Sequence, residues 1–160
     1  MNIVLEELTS GLSRPGQLIC VLIRLLTAML LAGLIGYERL HAHKAAGLRT
    51  HILVALGAAL FSLIPSLSGM DMHDASRVIQ GVAAGIGFLG AGTILKLSDQ
   101  HRIEGLTSAA SIWVTAAVGT AAGVGFTGAA IVVAVFSWIV LTVLQRFERR
   151  LQNDIGNSVP

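Results

Sequence analysis

The stretch Gln80–Leu97, QGVAAGIGFLGAGTILKL, is apolar enough for the centre of a bilayer yet carries glycine at 81, 85, 87, 90 and 92. Each glycine costs a helix ~0.8 to 1 kcal/mol relative to alanine. Local propensity therefore does not hold this segment, and its surroundings must. One reading is a packing helix whose glycines admit close neighbours, as the spacing of Gly81 and Gly85 allows. The other is a thinned or discontinuous span lining a polar path, where irregular backbone is tolerated at membrane depth. A dinucleotide cradle at Gly85, Gly87 and Gly90 would need a preceding strand and a surrounding βαβ unit. The flanking sequence has neither.

Working outward, four more apolar runs approach the ~20 residues that cross a hydrocarbon core. With the glycine segment the five expected spans are Gln17–Tyr37, Leu48–Leu67, Arg77–Leu97, Gly105–Ala122 and Phe126–Leu144. The 160 residues are 54% hydrophobic and 12% charged, with a mean hydropathy of +0.76. Soluble domains carry roughly 25% charged residues. The expected fold is thus all-α, a polytopic bundle of five transmembrane helices spanning residues 17–144. An external segment, 1–16, precedes it, with a short interfacial helix over Met1–Leu12 as one reading. A short cytoplasmic tail, 145–160, follows, with Arg146, Arg149 and Arg150 able to reach anionic headgroups. The first run is too long for a signal h-region and lacks a positive n-region, so it is read as retained.

The cations set the expected orientation. Arg39, Lys44, Arg49, Lys96, Arg102, Arg146, Arg149 and Arg150 fall on one side and only Arg14, Arg24 and Arg77 on the other. The positive-inside rule places the N-terminus outside and the C-terminus in the cytoplasm. No basic face with interleaved aromatics exists, so nucleic acid is not an expected partner. Cys20 stands alone in an apolar run, which excludes an intrachain disulfide and reads as a small core residue.

Several polar positions stand out. Arg24 lies about seven residues into the first span, ~10 Å at 1.5 Å per residue. It must snorkel outward or pair with Asp71 or Asp74. Glu38 and Arg49 each adjoin a span and would neutralise one another if buried together. Pro65 should stop or kink the second span. Asp71, His73 and Asp74 form a row of donors in the outer loop, which makes Asp71 and Asp74 weak metal candidates; the plainer reading is that Asp74 or Ser76 caps the third span. No metal, and no cofactor, is expected. Ser111, Thr115, Gly119 and Gly123 make a small-residue line at every fourth position of the fourth span, expected to pack on the third span. Trp113 is expected to be a core anchor whose indole finds an acceptor.

Three segments carry a family resemblance: GYERLHAHKAAGLRTH (Gly36–His51), SRVIQGVAAGIGFLGAGTIL (Ser76–Leu95) and GLTSAASIWVTAAVGTAAGVG (Gly105–Gly125). In order and spacing they resemble the membrane domain of the MgtC/SapB family. The departures are small, Ala45 where proline is common and Ser108 where a second threonine is usual. The family's C-terminal cytoplasmic domain is not expected in a chain of this length. The resemblance implies a multi-pass protein of the bacterial inner (cytoplasmic) membrane, tied to magnesium homeostasis, acid and phosphate stress, and virulence. It further implies a regulator of other membrane complexes, F-type ATP synthase being the partner proposed in the family. By motif it singles out Glu38, Arg39, Arg49, Thr50, Arg77, Gln80, Thr107 and Trp113.

Two functions follow as expectations. The first is a non-enzymatic regulator that packs its small-residue faces on a partner membrane protein, or on a second copy as a homodimer. The second is a Mg²⁺ or proton transporter or channel with a path along the third span. Its apolar centres offer no carboxylate for a cation. No Ser/Lys pair, aspartate pair or zinc helix supports an intramembrane enzyme.

Overall fold

Small side chains decide how these helices meet. The computed structural model describes residues 15–97 and 102–147. Five helices follow one another: α1 (Pro15–His41), α2 (Leu48–Leu67), α3 (Met72–Gly92), α4 (Leu106–Val124) and α5 (Thr127–Ile139). A π-helical stretch, Val140–Leu144, continues α5. Four helical segments, Gly16–His41, Leu48–Leu67, Leu106–Val124 and Thr127–Phe147, are long and apolar enough to cross a membrane. α3 is long enough, but Arg77, Gln80 and its glycines dilute its apolar character.

The core is built largely of alanine. Ala28, Ala32 and Ile35 of α1, Ala55 and Ala59 of α2, Val118 and Ala122 of α4, and Ala130 and Ala134 of α5 are buried together. Alanine at these crossings lets backbones approach until main-chain atoms touch, the packing that associates helices where lipid supplies no hydrophobic drive. The large residues point outward: Leu30, Phe88, Phe126 and Phe136 are all well exposed.

The tightest seam lies between α2 and α4. A Cβ added at Gly119 would fall 2.8 Å from Ala55 Cα, and one at Gly123 would fall 2.8 Å from Ala59 Cα. Both positions advance together along the chain, so α2 and α4 run parallel. α3 must therefore run back alongside them. At the end of α1, Gly36 meets Leu48 and His51 of α2 in the same manner, its added Cβ 2.8 Å from Leu48 Cα.

α3 departs from expectation. Its helix starts at Met72 and ends at Gly92, about five residues ahead of the expected span at each end. Asp71, rather than Asp74 or Ser76, caps it by accepting from Asp74 N–H at 2.8 Å. The residues after Gly92 turn into a small antiparallel hairpin that pairs Leu95–Leu97 with Arg102–Glu104. Gly105 ends the hairpin with φ +91°, backed so closely by Thr93 that a Cβ would sit 2.9 Å from its carbonyl carbon. Most of α3 lies at the edge of the bundle, with only Ile86 and Gly90 buried. On the packing-helix reading, this helix is thus a peripheral one. α2 ends two residues beyond Pro65, in line with a proline stop. The expected N-terminal interfacial helix and the arginines at 149 and 150 lie outside the described residues.

Candidate functional site: a buried polar cluster at the basic end

The end of the bundle that joins α1 to α2 and α3 to α4 gathers Arg39, Lys44, Arg49 and Arg146, and is called the basic end here. Its geometry begins with the last turn of α1. His43 takes a left-handed conformation, φ 53°, and its N–H bonds to Leu40 O at 3.1 Å. Lys44 N–H bonds back to Arg39 O at 3.1 Å. This is the paired closure of a Schellman turn, with histidine where glycine is usual. It folds Lys44 back over Arg39 and sets cations at the negative end of the helix dipole.

Arg39 is 1% exposed. Its Nε–H donates to Glu38 Oε2, so the ion pair forms between sequence neighbours. The expected pairing of Glu38 with Arg49 does not occur, and Arg49 and Thr50 are exposed on the outer face of α2. Adjacent helical residues point about 100° apart, so the pair depends on bending the long side chains toward each other. Burial of the guanidinium supplies the reason, since an unpaired charge there would cost several kcal/mol.

One turn into α2, His51 is fully buried. Its Nδ1–H donates to Gly47 O at 2.8 Å, which fixes the tautomer, and Nε2 lies 3.2 Å from Ser111 Oγ of α4. Ser111 also donates to Ser108 O at 2.8 Å, and Thr115 donates to Ser111 O at 2.8 Å. A single Ser111 hydroxyl proton thus serves two acceptors, and the shorter distance favours Ser108. His51, Ser108, Ser111 and Thr115 form a column on the same seam as Ala55 with Gly119. The small-residue line of α4 therefore meets α2, not α3 as expected. The register of His51, Ala55 and Ala59 was visible in the sequence, and it matches that line four residues by four. His51 itself, near the start of the expected second span, was not singled out beside the charged Glu38 and Arg49.

At the opposite end Arg24 does not pair with Asp71 or Asp74. Its Nη1 donates to Gly123 O at 2.9 Å. Gly125, at φ +104°, closes α4 against the same guanidinium, where a Cβ would lie 2.9 Å from Nη2. A cation on the last carbonyls of a helix offsets part of its desolvation. Asp71, His73 and Asp74 bring their ligand atoms within 4.8 Å of one another, all exposed. Asp71 is engaged as the cap of α3.

The remaining sequence candidates scatter. Arg77, Gln80 and Thr107 are exposed. Trp113 is 53% exposed and faces outward, not into the core as expected. Of the α3 glycines, a Cβ added at Gly90 would lie 3.7 Å from Ala109, while one added at Gly81, Gly85, Gly87 or Gly92 would meet no described atom within 4 Å. Between α2 and α3 runs an apolar groove of about 570 Å³, with Gly57 and Phe61 on one wall and Gly81 and Gly85 on the other.

Residues 25–150 match the MgtC family. The chain belongs to the MgtC family. The three motifs quoted above all fall inside that match. Among relatives, SrpB of Synechococcus elongatus is 42% identical over 137 residues, covering 79% of this chain and 75% of SrpB. A putative magnesium transporter, YhiD of Escherichia coli K12, is 42% identical over 139 residues, 82% of this chain and 64% of YhiD. The MgtC protein of Brucella abortus is 46% identical over 118 residues, 74% of this chain and 48% of that protein. The match thus takes in under two thirds of YhiD and about half of the Brucella MgtC protein. No solved structure matches the chain. Family membership and apolar helices together make this a multi-pass membrane protein.

Proposed function

We propose that the protein is a non-enzymatic regulator of the bacterial inner membrane that acts by packing α3 against a helix of another membrane complex, as in adaptation to Mg²⁺ limitation, acid or virulence-related stress. The observation that carries this reading is the bare glycine face of α3. A Cβ added at Gly81, Gly85 or Gly92, which share one side of the helix at 100° per residue, would meet no described atom within 4 Å, and the groove beside Gly81 and Gly85 is apolar and open to the side. Lipid gains nothing from such a face, whereas a helix gains close van der Waals contact.

All five helices cross the membrane in this reading. α2 and α4 are parallel neighbours, so α3 has to return over the same depth even though its hydropathy is diluted. The basic end is then cytoplasmic by the positive-inside rule.

A Mg²⁺ or proton transporter is the second reading, favoured by the printed description of YhiD. Weighing against it, among the acids of the described residues Glu38, Asp71 and Asp74 stand at helix ends and Glu104 in the hairpin, and none is in an apolar centre. A Mg²⁺ site would need carboxylate or carbonyl oxygens at depth.

A photo-crosslinking side chain placed at Gly85 in native membranes tests the first reading. A defined protein adduct is expected from position 85 and none from Val132 on the outer face of α5. An adduct with a second copy alone would replace the partner complex by a homodimer, and adducts with lipid only would overturn the reading. Mg²⁺ flux in proteoliposomes above empty vesicles, abolished by Glu38→Ala, would favour the transporter.

A further inference from the structure

Arg39 holds a contradiction that Glu38 does not resolve. Its Nε is bonded, but Nη1 is buried with no hydrogen-bond partner among the described residues. A buried donor left unsatisfied costs ~1 to 3 kcal/mol, more when charged. Arg39 is also a wall of a cavity of about 140 Å³ whose polar walls include Lys44 and Thr107, closed on the far side by Leu141 and Leu144.

The local backbone is arranged around this space. The Schellman turn after α1 brings Lys44 back beside Arg39. Across the cavity, α5 abandons its α register for the π-helical stretch Val140–Leu144, a device that recurs at functional sites. Thr142 Oγ, on that stretch, is a second buried group without a partner, and it lines an adjoining cavity of about 310 Å³ together with Arg146. Around the two cavities the cations Arg39, Lys44 and Arg146 face Glu38 as the one described carboxylate of their linings, and Arg39 already engages it. The surplus is positive, and its donors are a guanidinium fork, an ammonium and hydroxyls.

We propose that the cavity bounded by Arg39, Lys44 and Thr107 binds an oxyanion of the phosphate class, supplied by an anionic phospholipid headgroup or by inorganic phosphate. A tetrahedral anion presents several oxygens to donors that converge from different helices, and arginine meets such oxygens with parallel N–H bonds. Leu141 and Leu144 give the same site an apolar wall on which the upper part of an acyl chain can lie. The site is independent of the packing role assigned to α3.

The test uses the full chain purified in a maltoside detergent and, separately, in nanodiscs of phosphatidylglycerol with phosphatidylcholine. Inorganic phosphate is titrated into the first and followed by ³¹P NMR; lipids retained by the second are counted by native mass spectrometry. Lys44→Gln and Thr107→Val carry the argument, because both residues are exposed and leave the core intact. Arg39→Lys adds the loss of the fork while keeping the charge. Phosphate binding that weakens about tenfold or more in these variants, at an unchanged melting temperature, supports the site with a soluble anion, as expected for loss of one charged hydrogen bond. Retained phosphatidylglycerol that is lost in the variants, without phosphate binding, supports it with a headgroup. No binding of either probe, or binding that Lys44→Gln and Thr107→Val leave unchanged, overturns it.

Discussion

Two glycine lines in this protein carry the same sequence signal and meet opposite surroundings. On α4, Gly119 and Gly123 press on the backbone of Ala55 and Ala59 so closely that no side chain fits. On α3, Gly81, Gly85 and Gly92 share one side of the helix and look onto open space. The difference lies in the partner, since α2 offers alanine at the matching four-residue spacing and in parallel register. No described residue offers this to α3. Small-residue spacing therefore announces a close approach without saying whether the neighbour is in the same chain. A line with a complementary partner in register is internal, and a line without one is available to another molecule.

The largest effect is expected where the packed line is filled. Gly123→Leu forces a branched side chain into Ala59, and overpacking of this kind costs ~1 to 3 kcal/mol or more. Loss of the monodisperse peak in detergent gel filtration is the expected outcome; a normal peak with an unchanged melting temperature would break the comparison on its packed side. Next comes His51→Ala, which removes the side chain joining Gly47 to Ser111 on the same seam. A cost of about 1 to 3 kcal/mol is expected from the lost bonds and the cavity left behind. It is read as a lower melting temperature, whereas Thr50→Ala, one residue away and exposed, should leave it unmoved.

Smaller and opposite in sign is Gly81→Ala on the bare line. With no neighbour to disturb, the helix gains up to ~0.8 to 1 kcal/mol of propensity. A loss of stability in the purified monomer would show that α3 packs internally after all. Smallest is Trp113→Phe, expected to stay within about 0.5 kcal/mol because the ring is outward-facing. Chemical unfolding in mixed micelles checks it, and a cost above 2 kcal/mol would return Trp113 to the core.

The helices themselves were legible, since runs of apolar residues near membrane length have few alternatives. The small-residue line of α4 was also legible, and a matching register stood on α2, but nothing in the sequence ranked α2 above α3 as its partner. Chain adjacency suggested α3, and the hairpin at Leu95–Leu97 and Arg102–Glu104 lets α3 depart after touching α4 at Gly90 and Ala109. Such three-residue strands are too short to leave a periodic signal, and glycine at 105 was their one local mark. At the basic end, motif and charge pointed to Glu38 and Arg39 but not to their mutual bond. Helical spacing puts consecutive residues on different faces, and only the burial of Arg39 bends them together. Lys44 counted only toward the charge asymmetry and Thr142 gave no sequence signal, because their positions depend on a left-handed His43 and on a π-helical register.

The central claim, that one glycine line is internal and the other is not, is tested most directly by placing the same leucine in each. Gly119→Leu and Gly85→Leu should be purified as monomers in one detergent and melted side by side. The account predicts that Gly119→Leu loses several degrees or fails to fold, while Gly85→Leu melts no lower than the unsubstituted protein. Equal losses, or a greater loss for Gly85→Leu, would contradict it.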